Sequence, residues 1–367
     1  MNVLITSEFY TPHVGGAEKV VQILAEGFVK LGHSVVVATT EIPGRPLNVN
    51  GVEISEFAIK GNAAKLIKEI RKGEKVRYQN LLKSNKHDVI LQYAAQTWHT
   101  DLTFPILNEI TTKIILVPCG FSGLTTFLRR VLYFRYFKKM PKYLKGYDEL
   151  VFLSENYLDT NFARKNGIKE FKIIPNGIFT SEFDQNNLSF RKKYGIDLEK
   201  KVYLNVSNHY KLKGHKELIK AFNENNDNES LLVIIGNDPK GNTSCLKDCQ
   251  AMVADDKNVI LLHDVPREFV IAAYKESDVF VLSSYIEYYP LVLIEAMYCQ
   301  LPIISMNVGC VKDYCDCILV EDYTELAAAL KLVKTSDQSG KIKTNFKKVV
   351  EVLQWPAIIN QYNLLLT

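Results

Sequence analysis

At 367 residues the chain is long enough for two domains with separate cores, and its 47% hydrophobic and 23% charged residues are ordinary for a soluble globular protein. The 45 basic and 41 acidic residues leave a formal charge of +4, too small a surplus to argue for nucleic acid as a partner. Seven scattered cysteines, an odd number, fit a reducing compartment better than a disulfide framework.

The chain opens on an apolar strand, residues 2–6, rather than a leader, and no apolar run reaches membrane-spanning length, so a cytoplasmic protein is expected. A loop over 7–16 leads to an amphipathic helix over 17–31, with Val20, Val21, Leu24, Phe28 and Leu31 inward, and a second strand over 34–39. Such a strand–helix–strand unit forms a parallel pair with a right-handed crossover, and ligands of open α/β sheets bind at the strand end. Gly15 and Gly16 lie at that end. They either let a phosphate or sugar approach bare backbone or serve a tight turn of positive φ.

Further strands are expected over 53–59 and 89–93, with a basic helix over 63–82 between them. His99 follows the second of these strands as a candidate catalytic imidazole, or simply as a solvated loop residue. The next strand, 114–117, ends at Pro118, Cys119 and Gly120. Residues 124–145 then carry seven basic residues and no acidic one, interleaved with Phe127, Tyr133, Phe134, Tyr136 and Phe137. That pattern suits a helix lying on an anionic bilayer surface, at the inner face of a membrane. It equally suits a basic surface helix whose aromatics enter the core. Residues 1–184 hold 24 basic against 18 acidic residues, so the positive excess lies in the first half. A strand over 149–154 and a helix over 156–166 complete this part, and the charged, Asn-rich stretch 181–201 reads as a hinge.

The second half opens with a strand over 202–206, the loop 207–214 and a helix from His215. Strands over 231–236 and 258–262 follow, then the loop 263–267, a helix over 269–276 and a strand over 278–282. Beyond Ser283 and Ser284 comes a loop holding Glu287 and Tyr289, and a helix with Pro290 as its first residue, where the missing N–H costs nothing. The N–H groups of Leu291 and Val292 face the strand end, which favours an anion such as a diphosphate. Glu287 and Glu295, eight residues apart, can then accept hydrogen bonds from hydroxyls on either side, an arrangement fitting a sugar–diphosphate–ribose ligand. Taken alone, the pair also reads as two solvated carboxylates. Cys245-x3-Cys249 and Cys310-x4-Cys315-x-Cys317 lack the usual zinc spacing and neighbouring histidines, so no metal is expected.

Residues 283–305, SSYIEYYPLVLIEAMYCQLPIIS, resemble the donor-binding segment of family 4 of the retaining glycosyltransferases. Glu287, Pro290, Leu291, Glu295, Ala296, Met297, Pro302, Ile303 and Ile304 match the family pattern in order. Tyr288 and Tyr289 replace small residues and Gln300 replaces the usual Gly. A second match lies at PHVGGAEKVVQILAEGFVKLGHSVVVAT, which is similar to the N-terminal signature P-x2-G-G-x-E and G-H-x-V. The segment 171–178, FKIIPNGI, resembles the one leading into the family's interdomain linker, and 347–366 its closing helix, bending at Trp355.

The resemblance implies the GT-B fold, two Rossmann-like domains facing across a cleft. An acceptor-side domain would span 1–178 with a returning helix over 356–367, and a donor-binding domain 179–355. It implies transfer of a sugar from a nucleotide-sugar donor to a hydroxyl of a glycan or lipid-linked acceptor, with retention, in cell-surface glycan or glycolipid synthesis, with neither cofactor nor metal. The family's diphosphate clamp, G-R-x4-K-G, is met at Lys213 and Gly214, while Asn208 stands in place of Arg and His209 or Lys211 would have to restore the charge. Glu287 and Lys213, with His99, are the expected catalytic groups. Glu295, Leu291, Val292, Tyr289 and Pro290 would hold the donor, with Asp264 and Val265 against the nucleobase. Gly15, Gly16, Cys119 and Gly120 would form the acceptor and phosphate loops, Cys119 replacing the family's His. The departures at Asn208 and Cys119 leave open a nucleotide-sugar-binding protein without catalysis, and the shared fold leaves open a nucleotide-sugar epimerase.

Overall fold

The computed structural model describes residues 1–13, 15–61, 69–225, 227–238, 244–254 and 256–367. The chain divides into two compact units, Met1–Asn176 with Pro356–Thr367, and Gly177–Trp355.

The strands of the first unit are β1 (Asn2–Thr6), β2 (Ser34–Thr40), β3 (Asn48–Val49), β4 (Val52–Phe57), β5 (Ile59–Lys60), β6 (Glu69–Ile70), β7 (Val89–Tyr93), β8 (Lys113–Val117), β9 (Glu149–Phe152) and β10 (Lys172–Ile173). Eight of them form one sheet in the order β10-β9-β8-β7-β1-β2-β4-β3, and β5 pairs with β6 apart from it. Every pairing in the large sheet is parallel except the β3–β4 hairpin. Parallel strands are covered on both faces and therefore read as unbroken apolar runs. β7, Val-Ile-Leu-Gln-Tyr, is buried at all five positions.

The helix Gly16–Lys30 buries Val20, Val21, Ile23, Leu24, Ala25, Gly27 and Phe28. Gly27 leaves room for the helix Trp355–Leu366: an added Cβ would lie 2.7 Å from Ile359 Cδ1. His33 Nε2 and Asn363 Oδ1, 2.7 Å apart, hold the same helix end. The sequence reading of one closing helix over 347–366 is corrected to two, Ser339–Glu351 and Trp355–Leu366.

Two other helices differ from expectation. Of the basic helix read over 63–82, residues 63–68 lie outside the described residues; β6 occupies 69–70, and the helix itself is Glu74–Leu82. Residues 124–145 form two helices, Phe127–Leu132 and Phe134–Leu144, broken at Tyr133, whose backbone leaves the helical region at φ −93°, ψ 8°.

The second unit holds β11 (Lys201–Val206), β12 (Ser230–Ile235), β13 (Val259–Leu262), β14 (Val279–Leu282), β15 (Ile303–Met306) and β16 (Ile318–Val320). They form a wholly parallel sheet in the order β13-β12-β11-β14-β15-β16. The stretch read as a hinge is folded onto this unit as helices Thr180–Asp184 and Phe190–Tyr194. Arg191 holds it there. Its buried guanidinium donates to the carbonyls of Glu276 (2.9 Å), Asp197 (2.9 Å) and Lys200 (2.8 Å) and to Asp278 Oδ2 (3.0 Å). Lysine cannot reproduce that fork. Replacing Arg191 by Met removes the guanidinium donor from the three carbonyls, while Asp278 Oδ2 keeps the Val202 N–H at 2.8 Å, so a loss of roughly 1–3 kcal/mol is expected, read as a lower urea midpoint with unchanged slope.

Candidate active site

In both sheets the strand order reverses beside the first strand of the unit, between β1 and β7 and between β11 and β14. Ligands of open α/β sheets bind outside the carboxyl ends of strands at such a switch point. The loops after β11 and β14 hold Lys213 and Glu287; the segments after β1 and β7 hold Gly15, Gly16 and His99.

In the second unit the two loops are stitched together by backbone. Tyr285 N donates to the Leu212 carbonyl at 2.9 Å and Ser283 Oγ to the Lys213 carbonyl at 2.8 Å. Tyr323 Oη adds a bond to the Ser283 carbonyl at 2.7 Å. The chain can approach so closely because Gly214, at φ +66°, has no side chain: an added Cβ would strike the Ser283 carbonyl and the Tyr323 hydroxyl. Gly309, at φ +61°, plays the same part on the other side, where an added Cβ would come within 2.5 Å of the Tyr288 carbonyl and 2.9 Å of that of Glu287.

This stitching sets Lys213 Nζ 2.6 Å from Glu287 Oε1. The second carboxylate is paired as well: Glu295 Oε1 lies 2.7 Å from Arg267 Nη2, which also meets Glu182 at 3.2 Å. Neither carboxylate is simply solvated. Sequence reading missed Arg267. A signal was present, because Arg267 opens the helix Arg267–Glu276, where the helix dipole disfavours a cation unless a carboxylate offsets it. Between the two pairs the helix Leu291–Tyr298 begins with Leu291 and Val292 half-buried. Pro290 is its N-cap rather than its first residue, which still spares an N–H. Tyr289 is buried and stacked on Tyr314, with ring centroids 4.2 Å apart, so its ring packs inside the unit instead of facing a ligand.

The remaining donor-side residues separate. Asn208 is half-buried and Lys211 exposed on the loop after β11. His209 does not restore the charge missing at Asn208. It is fully buried against His215 Nδ1 (3.2 Å) and Cys245 Sγ (3.9 Å), and burial pushes its imidazole down to about 4, so it is neutral at pH 7. Asp264, exposed at φ +50°, is held by its N–H on Asn237 Oδ1 at 2.8 Å, with Val265 half-buried beside it.

In the first unit neither Gly15 nor Gly16 has positive φ, so the tight-turn reading fails. Gly15 is the extended N-cap of the helix Gly16–Lys30, and a Cβ on Gly16 would meet nothing within 4 Å. The Glu18 carboxylate of the first turn lies over this helix start, where a Cβ on Gly15 would fall 2.2 Å from its Oε2. Cys119 and Gly120 adopt left-handed backbone in succession, φ +56° and +74°, with Gly120 N–H donating to Asp159 Oδ2 at 2.8 Å. His99 is not a loop residue. It sits in the first turn of the helix Trp98–Thr103, fully enclosed, with Nδ1 2.8 Å from Thr6 Oγ1 across the β1–β7 switch point. Burial pushes its imidazole down to about 3, so it is neutral and braces the sheet end rather than reaching solvent.

Residues 186–339 match the family model for glycosyl transferases group 1, and residues 14–182 match that for Glycosyltransferase Family 4. The chain is 26% identical over 323 residues to an uncharacterized glycosyltransferase of Methanocaldococcus jannaschii, covering 83% of this chain and 80% of that one. Among solved structures it resembles sucrose-phosphate synthase from Thermosynechococcus elongatus, with a TM-score of 0.79 at 16% identity over 99% of this chain and 98% of the other. It also resembles an Anabaena protein, HepE, solved with UDP and glucose, with a TM-score of 0.74 at 14% identity over 100% and 99% of the two chains. These likenesses establish the GT-B fold.

The stitched loops generate a stability prediction. Gly214→Ala combines a strained left-handed residue with a backbone clash, and should cost roughly 1–3 kcal/mol in a urea titration. A neutral result would mean that the approach of the two loops is not enforced.

Proposed function

We propose that this chain, a glycosyltransferase of the GT-B fold, moves a sugar from a nucleoside-diphosphate donor to a hydroxyl, with retention of configuration. The observation that carries the reading is the Lys213–Glu287 pair, 2.6 Å apart from loops 74 residues apart in sequence, in the stretch that runs into the helix start at Leu291. Donor binding places the diphosphate on that helix start, within reach of Lys213. The ammonium turns from Glu287 to the phosphate as bond cleavage builds negative charge there, a task that elsewhere falls to a metal ion. Glu287, released from Lys213, accepts hydrogen bonds from the sugar hydroxyls. Glu295, oriented by Arg267, accepts those of the ribose. Asn208 contributes no charge, so Lys213 carries the leaving group with the helix start. The acceptor hydroxyl reacts on the face the phosphate leaves, which itself takes up the proton. Solved relatives bound to UDP and UDP-glucose support a nucleotide-sugar ligand.

The acceptor is proposed to be lipid-linked and reached at an anionic membrane surface. The helices Phe127–Leu132 and Phe134–Leu144 of the first unit support this. Phe127 (82% exposed), Leu128 (77%), Leu132 (67%) and Phe134 (64%) stand in solvent on the two short helices. Exposed Arg130, Arg135, Lys138, Lys139, Lys142 and Lys145 lie along the same segment, whereas Phe137, Met140 and Leu144 enter the core. Apolar wedges ringed by cations match the headgroup boundary of an anionic bilayer. Among the described residues no helix is long and apolar enough to cross a membrane.

Thermal-shift measurements with UDP, GDP, ADP and CMP and their sugars should single out one nucleotide that stabilises wild type and not Glu295→Ala. Lys213→Ala should lower kcat with that donor by roughly 100- to 1,000-fold. No shift with any nucleotide would remove the donor-site reading. For the membrane, the protein should sediment with anionic vesicles at low salt, and Phe127→Ser with Leu128→Ser should weaken binding at least roughly tenfold. Absence of vesicle binding at low salt would leave the acceptor reading without support.

A further inference from the structure

Four side chains, His209 among them, converge inside the second unit. His209 lies in the loop after β11, His215 opens the helix His215–Asn223, and Cys245 and Cys249 share one face of the helix Ser244–Val253 at i and i+4. All four are buried, and one ligand atom from each lies within 4.8 Å of all the others. Spacing in sequence concealed this group: the cysteines lack a nearby histidine along the chain, but the fold supplies two from another segment.

The three distances among His209, His215 and Cys245 are close to those of a coordination shell, and Cys249 lies within 4.8 Å of each. A tetrahedral zinc ion with Zn–N of about 2.05 Å and Zn–S of about 2.3 Å requires edges of about 3.3 Å for N–N and about 3.6 Å for N–S. Here the two Nδ1 atoms are 3.2 Å apart, and Cys245 Sγ lies 3.8 Å from His215 Nδ1 and 3.9 Å from His209 Nδ1. Without an ion, a neutral His209 Nδ1–H donating to His215 Nδ1 accounts for the short nitrogen contact; the convergence of both cysteine sulfurs on the same point is what a metal would add.

Hydrogen bonds behind the cluster aim His215 at its centre. Asn205 Nδ2 donates to the Val281 carbonyl at 2.8 Å, which leaves Asn205 Oδ1 to accept from Ser207 Oγ at 3.0 Å. With its proton so used, Ser207 Oγ accepts from His215 Nε2–H at 2.7 Å. The lone pair of His215 therefore sits on Nδ1, toward His209 and the cysteines, as in the outer shell of metal-bound histidines. Two neutral imidazoles and two thiolates around a divalent cation sum to zero charge, the one arrangement that suits an enclosed site. Mixed nitrogen and sulfur donors in a closed tetrahedron select zinc.

We propose that His209, His215, Cys245 and Cys249 bind a structural zinc ion that clamps the loop after β11 to the helix Ser244–Val253. On binding, the two thiols release their protons to solvent and all four ligands come from protein, so no coordination position is left for substrate. The ion steadies the loop that carries Asn208 and Lys213 and takes no part in the reaction. The proposal is independent of the transferase reading, because its readout is metal binding.

The test uses the full chain, free of any polyhistidine tag. Protein purified from zinc-containing medium should carry about one zinc per chain by mass spectrometry, and roughly tenfold less in the Cys245→Ser, Cys249→Ser double variant. The deciding measurement is made on wild type, so it stands even where the variant fails to fold. Metal-free protein titrated with cobalt(II) should develop the intense visible bands of tetrahedral cobalt together with a thiolate-to-cobalt charge-transfer band, saturating at about one equivalent. Weak octahedral bands, or no charge-transfer band, would overturn the proposal and leave the four residues as a buried polar cluster.

Discussion

Where β11 and β14 run side by side, both strands end at the same edge of the sheet and the chain leaves them toward opposite flanks. The gap between those exits is where a ligand can reach strand ends and helix starts together. Everything assigned to the donor depends on that adjacency. It brings the loop ending at Gly214 against the one beginning at Ser283, and backbone hydrogen bonds then leave Lys213 and Glu287 little choice of partner. Glycine is required at Gly214 because two main chains cross there and because its backbone is left-handed, at φ +66°.

Electrostatics at this edge are balanced before any ligand arrives. Each of the two carboxylates is matched by a cation, Glu287 by Lys213 and Glu295 by Arg267. A pair left unmatched in a half-buried loop would carry a desolvation penalty, and pairing offsets it. In the proposed reaction a donor would exchange one set of partners for another, phosphate for Glu287 at the ammonium and hydroxyls for the ammonium at the carboxylate.

The histidines show how far burial alters a residue's chemistry. His99 invites an acid–base role by its place after a strand, yet the fold encloses it and Thr6 occupies its Nδ1. His209 looks like a replacement for a missing arginine, yet it turns inward to His215 and the helix cysteines. In both cases desolvation keeps the ring neutral, so neither supplies positive charge at pH 7. The aromatics of the basic segment divide as well: Phe137 joins the core while Phe127, on the preceding helix, and Phe134, at the start of its own, stand in solvent.

Local pattern alone determined the central strands of both sheets, the glycine-bearing loop before the first helix, and the frame of Glu287 and Glu295 around a helix start. These features are written in neighbouring residues: apolar runs for buried parallel strands, three-to-four-residue periodicity for helices, Pro290 at a helix entry. Tertiary structure decided which distant residues meet. The partners Lys213 with Glu287, Arg267 with Glu295, and His209 and His215 with Cys245 and Cys249 are set by strand order and by where each crossover helix returns. So are the enclosure of His99 and the anchoring of the stretch read as a hinge, through Arg191, to Glu276 and Asp278. None of these leaves a periodic trace in the chain, because a contact between segments depends on the packing of everything that lies between them.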